Sequence, residues 1–323
     1  MKRSVLISLF ILAVIVSASC GGSIAGEPVN VQEIRLENID SILIRYNSER
    51  ITLLNNDSNS IIIKEYMNIN KKDYYAKIAN SGKDLVIEAG QRPIGINNFK
   101  AHIEVYIPVS NKNFTIRSSS GDITGEKEYT AASMNFGSSS GDISINSVTA
   151  NTINFTASSG VIKCERANGN TSIETSSGNI IVGAVTGNVN ASSSSGRIEI
   201  KQISGELTAN TASGSIRCEN IEKNASVESN SGNVFLGVLN GNVTVKTSSG
   251  SVVLAVPANL SFNFLSKTSS GRLRTPFSDK LSSPFTDRDS FQGVINEDRG
   301  IPASNLKNVN IRTSSGSITV NWI

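Results

Sequence analysis

Few residues in this chain have side chains suited to chemistry. There is one histidine, His102, and three cysteines, Cys20, Cys164 and Cys218. A lone histidine supplies neither a multi-histidine metal site nor a nucleophile–base pair, which need several groups held together. Cys164 and Cys218 each stand four residues after a glycine, in VIKCE and SIRCE, a slot filled elsewhere by Ile145, Val182, Ile200, Leu236 and Leu254. That company marks them as small hydrophobes, buried and unpaired. Asp122 and Asp142 occupy equivalent positions and are the candidates for the carboxylate pair of a polysaccharide-cleaving enzyme. An aspartate directly after glycine is first of all a turn residue, however. The SerGlyAsp triplets at 120–122 and 140–142 do not recur later, so they cannot build the nine-residue calcium repeat. No glycine-rich element opens a helix after a strand, which leaves no phosphate loop. The residues therefore point to a protein that is not an enzyme and uses no metal or cofactor. Its candidate contact residues are Asp279, Lys280, Asp287, Arg288 and Asp289, in the charged stretch 274–300.

Cys20 has a different prospect. Lys2 and Arg3 form a positive start, Val5 to Val16 an apolar run, and Ser17-Ala18-Ser19 a small-residue site before Cys20. This is the layout of a secretory leader, and the apolar run falls short of the ~20 residues that span a bilayer. Ser-Ala-Ser-Cys resembles a bacterial lipobox, with Ser17 departing from the usual Leu or Val. The resemblance implies cleavage before Cys20, acylation of its thiol, and membrane anchoring through two or three acyl chains. Gly21 in place of an aspartate carries no inner-membrane retention signal. The expected location is the cell envelope, lipid-anchored and facing outside the cytoplasm.

The elements that must carry these residues are set by a repeat. Small-polar pairs followed by glycine end at Gly121, Gly141, Gly160, Gly178, Gly196, Gly214, Gly232, Gly250, Gly271 and Gly316. The step is 18 residues from Gly160 to Gly250, and 20 then 19 before that. Aliphatic residues recur at fixed offsets from the glycine. Ile198/Ile200 and Val234/Leu236 stand two and four after it; Val185, Ile203, Ile221 and Leu239 seven after; Leu207/Ala209 and Val243/Val245 eleven and thirteen after. Spacing of two is a strand period. A second turn follows nine residues on, at Gly169, Gly187, Gly205 and Gly241. Each unit is thus two short strands and two turns, too short for a crossover helix. Identical residues 18 apart stack only if coils lie in parallel register, so the pattern predicts an all-β fold. That fold is a parallel β-solenoid, or β-helix, of about nine 18-residue coils and about 40 Å length. The competing arrangement is an antiparallel meander of nine-residue hairpins. The turn glycines are expected to supply positive φ. The serines two before them (Ser158, Ser176, Ser194, Ser248) should point partly inward and bond along the stack.

The division along the chain is a leader at 1–19, a lipidated tether at 20–30, a β-rich N-terminal section or cap at 31–110, and solenoid repeats at 111–323. An irregular loop interrupts the repeats at 274–310, and Trp322 and Ile323 are expected to cover the last coil. Charged residues make up 18% of the chain and the net charge is only +3, which gives no basic footprint for nucleic acid.

An IEVYIPV strand (Ile103 to Val109) runs into a SerSerGlyAspIle turn (Ser119 to Ile123). Serial SGxIxI units follow, and IRTSSGSITV (Ile311 to Val320) closes the pattern. These features resemble the DUF4097 family of bacterial β-strand-repeat proteins, many of which carry an adhesin label. The resemblance spans roughly residues 35–323. It implies a β-solenoid and a cell-envelope setting, and it brings no catalytic residues. The partner classes come from the repeat itself: ladders of Ser, Thr and Asn on a solenoid face suit a glycan, and a solenoid end suits edge-to-edge pairing with another envelope protein, as in a sensor or scaffold.

Overall fold

The computed structural model describes residues 26–93, 98–277, 290–295 and 305–323. These contain 26 strands and one 3-10 turn, Lys72–Tyr74. Cys20 and the leader lie outside the described residues, as do Asp279, Lys280, Asp287, Arg288 and Asp289.

The fold is the parallel β-solenoid that the repeat predicts. In one coil, the strand Val189–Ser193 reaches the corner at Gly196, Ile198–Ile203 returns to a second corner at Gly205, and Leu207–Thr211 opens the next coil. Each strand pairs in parallel with its counterpart 18 residues on: Val189 with Leu207, and Ile198 with Ile216. This register excludes the antiparallel meander. Two facing ladders result, one of strands entering a glycine corner and one of strands leaving it. Because side chains alternate across a strand, Ile198, Ile200 and Ile203 point inward from one ladder and Leu207 and Ala209 from the other, all buried. In register they form aliphatic columns such as Ile180–Ile198–Ile216–Val234–Val252. Each side chain removed from water contributes roughly 1.5–3 kcal/mol, and the columns couple coils that touch only their neighbours.

One inward assignment is corrected. Leu239 is 37% exposed, and Val238 fills the slot instead, opposite Ile221. Other coils carry an extra residue between the fourth and seventh positions, as Val182-Gly183-Ala184-Val185 does. Here Val234, Leu236 and Val238 keep strict alternation to the strand end.

The corners differ from expectation in two ways. Among the described glycines only Gly82 and Gly169 have positive φ, so the SerSerGly glycines are not there for backbone freedom. A Cβ on Gly196 would lie well under 3.0 Å from the Gly178 carbonyl oxygen, and a Cβ on Gly178 would meet Gly160 in the same way. The contact repeats through Gly121, Gly141, Gly160, Gly178, Gly196, Gly214, Gly232, Gly250, Gly316 and Gly271, with Glu49 beneath Gly121. Glycine is required because backbone rests on backbone. Second, the serines two before glycine are exposed, and the residue three before is the buried one. Its hydroxyl accepts the glycine N–H: Ser193 from Gly196 at 2.8 Å, Thr211 from Gly214 at 3.0 Å, Thr247 from Gly250 at 3.1 Å. This clasp satisfies a backbone donor where the ladder is interrupted. Among the ten corners it is missing at two, Gly141 and Gly160, where Ser138 Oγ has no partner and Ala157 has no hydroxyl.

Coil order departs from chain order at both ends. The strands Ser41–Tyr46 and Arg50–Asn56 stack directly on Asn113–Ser118 and Ile123–Thr130. The later strands Asp84–Glu88 and Ala101–Pro108 lie outside them. Antiparallel strands then close this end: Lys77–Ser81 on one ladder, Ser60–Met67 and Asn30–Arg35 on the other. At the far end, Lys307–Thr313 and Ile318–Trp322 insert between Val243–Thr247/Val252–Val256 and the earlier strands Phe262–Thr268/Leu273–Arg274. Trp322 therefore does not cover the last coil. That place belongs to Phe262–Thr268, with Ser290–Ile295 antiparallel on its edge. Trp322 packs against Phe262 and Phe277 within this end. Antiparallel closing strands keep the parallel edges from pairing with another chain.

Urea denaturation checks the corner. Gly196→Ala should cost about 3 kcal/mol through overpacking, and Thr211→Val about 1–3 kcal/mol through the stranded Gly214 N–H. Ser195→Ala, at an exposed position, should stay within about 0.5 kcal/mol of the parent. Equal effects at Gly196 and Ser195 would remove the stacking explanation.

Candidate functional site

The glycine column stops at Glu49, and a cleft opens where it stops. Glu49 is 4% exposed; its Oε2 accepts the N–H groups of Asn47 and Ser48, each at 3.0 Å, and its Oε1 pairs with Arg92 Nε. Arg92 also donates to the Tyr74 carbonyl at 2.5 Å and lies over the Phe99 ring at 5.6 Å. The strands of the next coil outward, Asp84–Glu88 and Ala101–Pro108, are separated in the chain by residues 89–100 and not by a short glycine corner. Between the Ser48–Arg50 corner and residues 99–102 lies an open cleft of about 660 Å³, lined among the described residues by Glu49, Arg50, Phe99, Lys100, His102 and Asp122, with Ser48, Ala101, Ser120 and Gly121.

Strand register sets the surface beside it. Ser60–Met67, Ala101–Pro108 and Arg50–Asn56 place Tyr66, His102 and Arg50 in one outward row, and Lys64, Glu104 and Thr52 in the next. The Tyr66 and His102 rings are 5.7 Å apart. Both Tyr66 Oη and Tyr106 Oη donate to Glu104 Oε2 at 3.0 Å, and Lys64 Nζ donates to Tyr106 Oη at 3.0 Å. Burial lowers the His102 pKa despite Glu104 nearby, so the ring is neutral at neutral pH. Burial, then the Glu104 carboxylate, pushes Tyr66 up to about 12. Underneath, Glu65 is fully buried and ties three segments together. It accepts from the Ala76 N–H at 2.8 Å, Asn30 Nδ2 at 2.7 Å and Tyr46 Oη at 3.4 Å. Desolvation raises its pKa against those hydrogen bonds.

The residues singled out in the sequence fall elsewhere. The ten corner glycines form the column. Asp122 and Asp142 do stack, as inter-coil acceptors: Asp122 Oδ1 takes the Asp142 N–H at 3.0 Å, and Asp142 Oδ1 takes the Val161 N–H at 2.8 Å. Asn179 and Asn233 do the same for Arg197 and Ser251. Cys164 and Cys218 share one column, Cys164–Val182–Ile200–Cys218, buried, unbridged and three coils apart. Among the described residues no three His, Cys, Asp or Glu side chains gather as a metal site. The row of Tyr66, His102, Glu104 and Tyr106 escaped sequence reading. Its one trace was that four of the six tyrosines and the sole histidine fall between residues 66 and 106.

The architecture is a capped, two-ladder parallel β-solenoid with backbone-stacked glycine corners. A family profile described as Toastrack DUF4097 matches residues 39–240, more than half the chain, and the chain belongs to that family. Solved structures with a related trace include a "putative cell adhesion protein" from Clostridium sporogenes, at 12% identity over 91% of this chain and 98% of that one, with a TM-score of 0.21. A "putative lipid binding protein" from Parabacteroides distasonis has 18% identity over 72% and 97%, with a TM-score of 0.41. A "putative adhesin" from Parabacteroides merdae has 13% identity over 69% and 95%, with a TM-score of 0.36. At these identities and scores the likenesses carry no inference about function. No curated protein matches the chain.

Burial pushes both thiols up to about 12, from an ordinary value of 9.0. An unfolded thiol ionises from about pH 9 while the folded one stays neutral, so the unfolded state gains and stability falls as pH climbs from about 9 towards 12. Urea midpoints between pH 8 and 11 should decline, and less steeply for the Cys164→Val/Cys218→Val double variant. A slope unchanged by that variant would rule the thiols out as a source of it.

Proposed function

We propose that this chain is a non-catalytic binding or structural module of the cell envelope, held to a membrane by lipid on Cys20 and facing outside the cytoplasm. The observation that supports it is an outward polar row on one ladder. Thr115, Asn135, Asn154, Ser172, Asn190, Thr208, Ser226 and Thr244 follow one another in parallel register, a short polar side chain from each of eight successive coils, before Leu43 and Val86 take the position at the capped end. Side chains this short, one per strand spacing of ~4.8 Å, offer regularly placed hydroxyl and amide groups to an extended partner. The opposite ladder argues against an enzyme. One outward position carries Lys163, Ile181, Glu199, Arg217 and Phe235 on successive coils, a change of chemistry at each step where a catalytic cluster needs like or paired groups. The partner classes are an envelope glycan or another envelope protein.

Two experiments test this. In cells fed labelled palmitate, the chain should take up label and sediment with membranes, and Cys20→Ser should do neither; an unlabelled parent removes the anchor. The Cys20→Ser mature chain, immobilised and exposed to solubilised envelope, should retain a glycan or protein that Thr208→Lys/Ser226→Lys releases. A clean blank would count against binding and leave only a structural rod.

A further inference from the structure

We propose that the cleft between the Ser48–Arg50 corner and the strand Ala101–Pro108 is a saccharide site. It takes an uncharged pyranose oligosaccharide laid across Tyr66 and His102. This deepens the binding-module reading and rests on it.

Three observations converge on the cleft. The first is where the aromatic surface lies. The described aromatic side chains that are not buried are Tyr66, Tyr75, Phe99, Tyr106, Phe235 and Trp322, and four of these belong to the cap at this end. Outward rings on a strand face lose apolar contact with nothing in return unless something covers them, and a ring with a polar edge is suited to a ligand that is apolar on one face and wet at its rim. A pyranose has that form, with C–H groups on its face and hydroxyls around it.

The second is pre-organisation. Tyr66 and Tyr106 are both held through Glu104 Oε2, Lys64 braces Tyr106, and the Tyr66 ring leans on His102 at 5.7 Å. The rings are fixed before a ligand arrives, which lowers the ordering cost of binding.

The third is charge. The cleft presents Arg50 and Lys100 against Asp122, and Lys64 and Glu104 stand together in the adjoining row. Arg50 and Asp122 stand 3.5 Å apart and both are solvent-exposed on their side chains, so both remain open to hydroxyls. Charged donors and acceptors stand side by side, as sugar hydroxyls, which both donate and accept, require. A volume of about 660 Å³ lies within the range of small-ligand sites and accommodates more than one sugar ring.

The strand Asn30–Arg35, which follows the tether, lies on this same end of the rod. The ligand can therefore come from two sources, the cell's own wall polysaccharide or a foreign glycan, and the experiment separates them. The Cys20→Ser mature chain is titrated with chitohexaose, maltohexaose and heparin, and sedimented with purified peptidoglycan sacculi. An uncharged hexasaccharide or the sacculi should be bound. Affinity should fall about tenfold for Tyr66→Ala and for His102→Ala. Because those residues also pack locally, Asp122→Asn on the opposite wall provides a second reading and should weaken binding with an unchanged melting temperature. Arg217→Ala, on a distant coil, should leave binding as it is. Sacculi bound without free oligosaccharides identifies the cell's own wall; the reverse identifies a foreign glycan. Binding of heparin alone, binding of none of the probes, or sugar binding indifferent to Tyr66, His102 and Asp122 would each overturn the site. Retention of an envelope protein that depends on Thr208 and Ser226, with the sugars ignored, would overturn it while leaving the binding module intact.

Discussion

The structure depends on one close approach, the Cα of each corner glycine against the carbonyl of the corner beneath it. Parallel strands stack at ~4.8 Å, and at a sharp corner the backbone of one coil lies directly over that of the next. There is no volume between them for a Cβ. Every other regularity follows from keeping that spacing constant, including ladder hydrogen bonds, aliphatic columns and outward rows in register. A side chain at a corner would wedge two coils apart, and both ladders would feel it.

The polar groups around the corner keep the approach satisfied. A corner breaks the ladder, which leaves the glycine N–H without a strand partner, and the hydroxyl three residues earlier takes it. The Asp or Asn after the glycine reaches one coil along and takes the next N–H. The two corners without the hydroxyl clasp, Gly141 and Gly160, close the 20- and 19-residue steps, but Gly271 keeps the clasp through Thr268 although it stands 21 residues after Gly250, so the clasp does not require the 18-residue period. Where the column ends at Glu49, a buried carboxylate and its arginine replace the next corner. The cleft lies at that replaced corner. The candidate site is thus a consequence of how the repeat terminates.

Much of this was legible in the chain. The inward positions two, four, eleven and thirteen after glycine follow from strand alternation alone, and so do the buried thiols, which occupy one of those slots. The glycine at the corner was legible as a requirement but not in its cause, since positive φ and close approach leave the same mark in a sequence. The bracing hydroxyl was legible too, since alternation along Leu207, Ala209 and Thr211 turns Thr211 inward and leaves the next residue, at the corner, on the outside. Thr175, Ser193, Thr211, Ser229 and Thr247 recur as regularly as the serines beside them. Leu239 was read as inward because one coil lacks the extra residue its neighbours contain, a difference that shows only in the strand pairing.

By itself the sequence determined the coil, meaning its length, its two strands, its glycine corner and its core, because these are local and repeat. Tertiary structure alone decided the order of coils at the ends. Gly271 and Gly316 head units with the same SerSerGly corner and the same hydroxyl clasp, so either corner can sit on Gly250. Which one does depends on the non-repeating Phe262, Phe277 and Trp322 packed around them. The row of Tyr66, His102 and Arg50 was decided there too. Those residues are distant in the chain and belong to strands without a repeat, and they meet only because an antiparallel and a parallel pairing converge on Ala101–Pro108. Local periodicity fixes what stacks, and contacts between unlike strands fix what the stack presents to a partner.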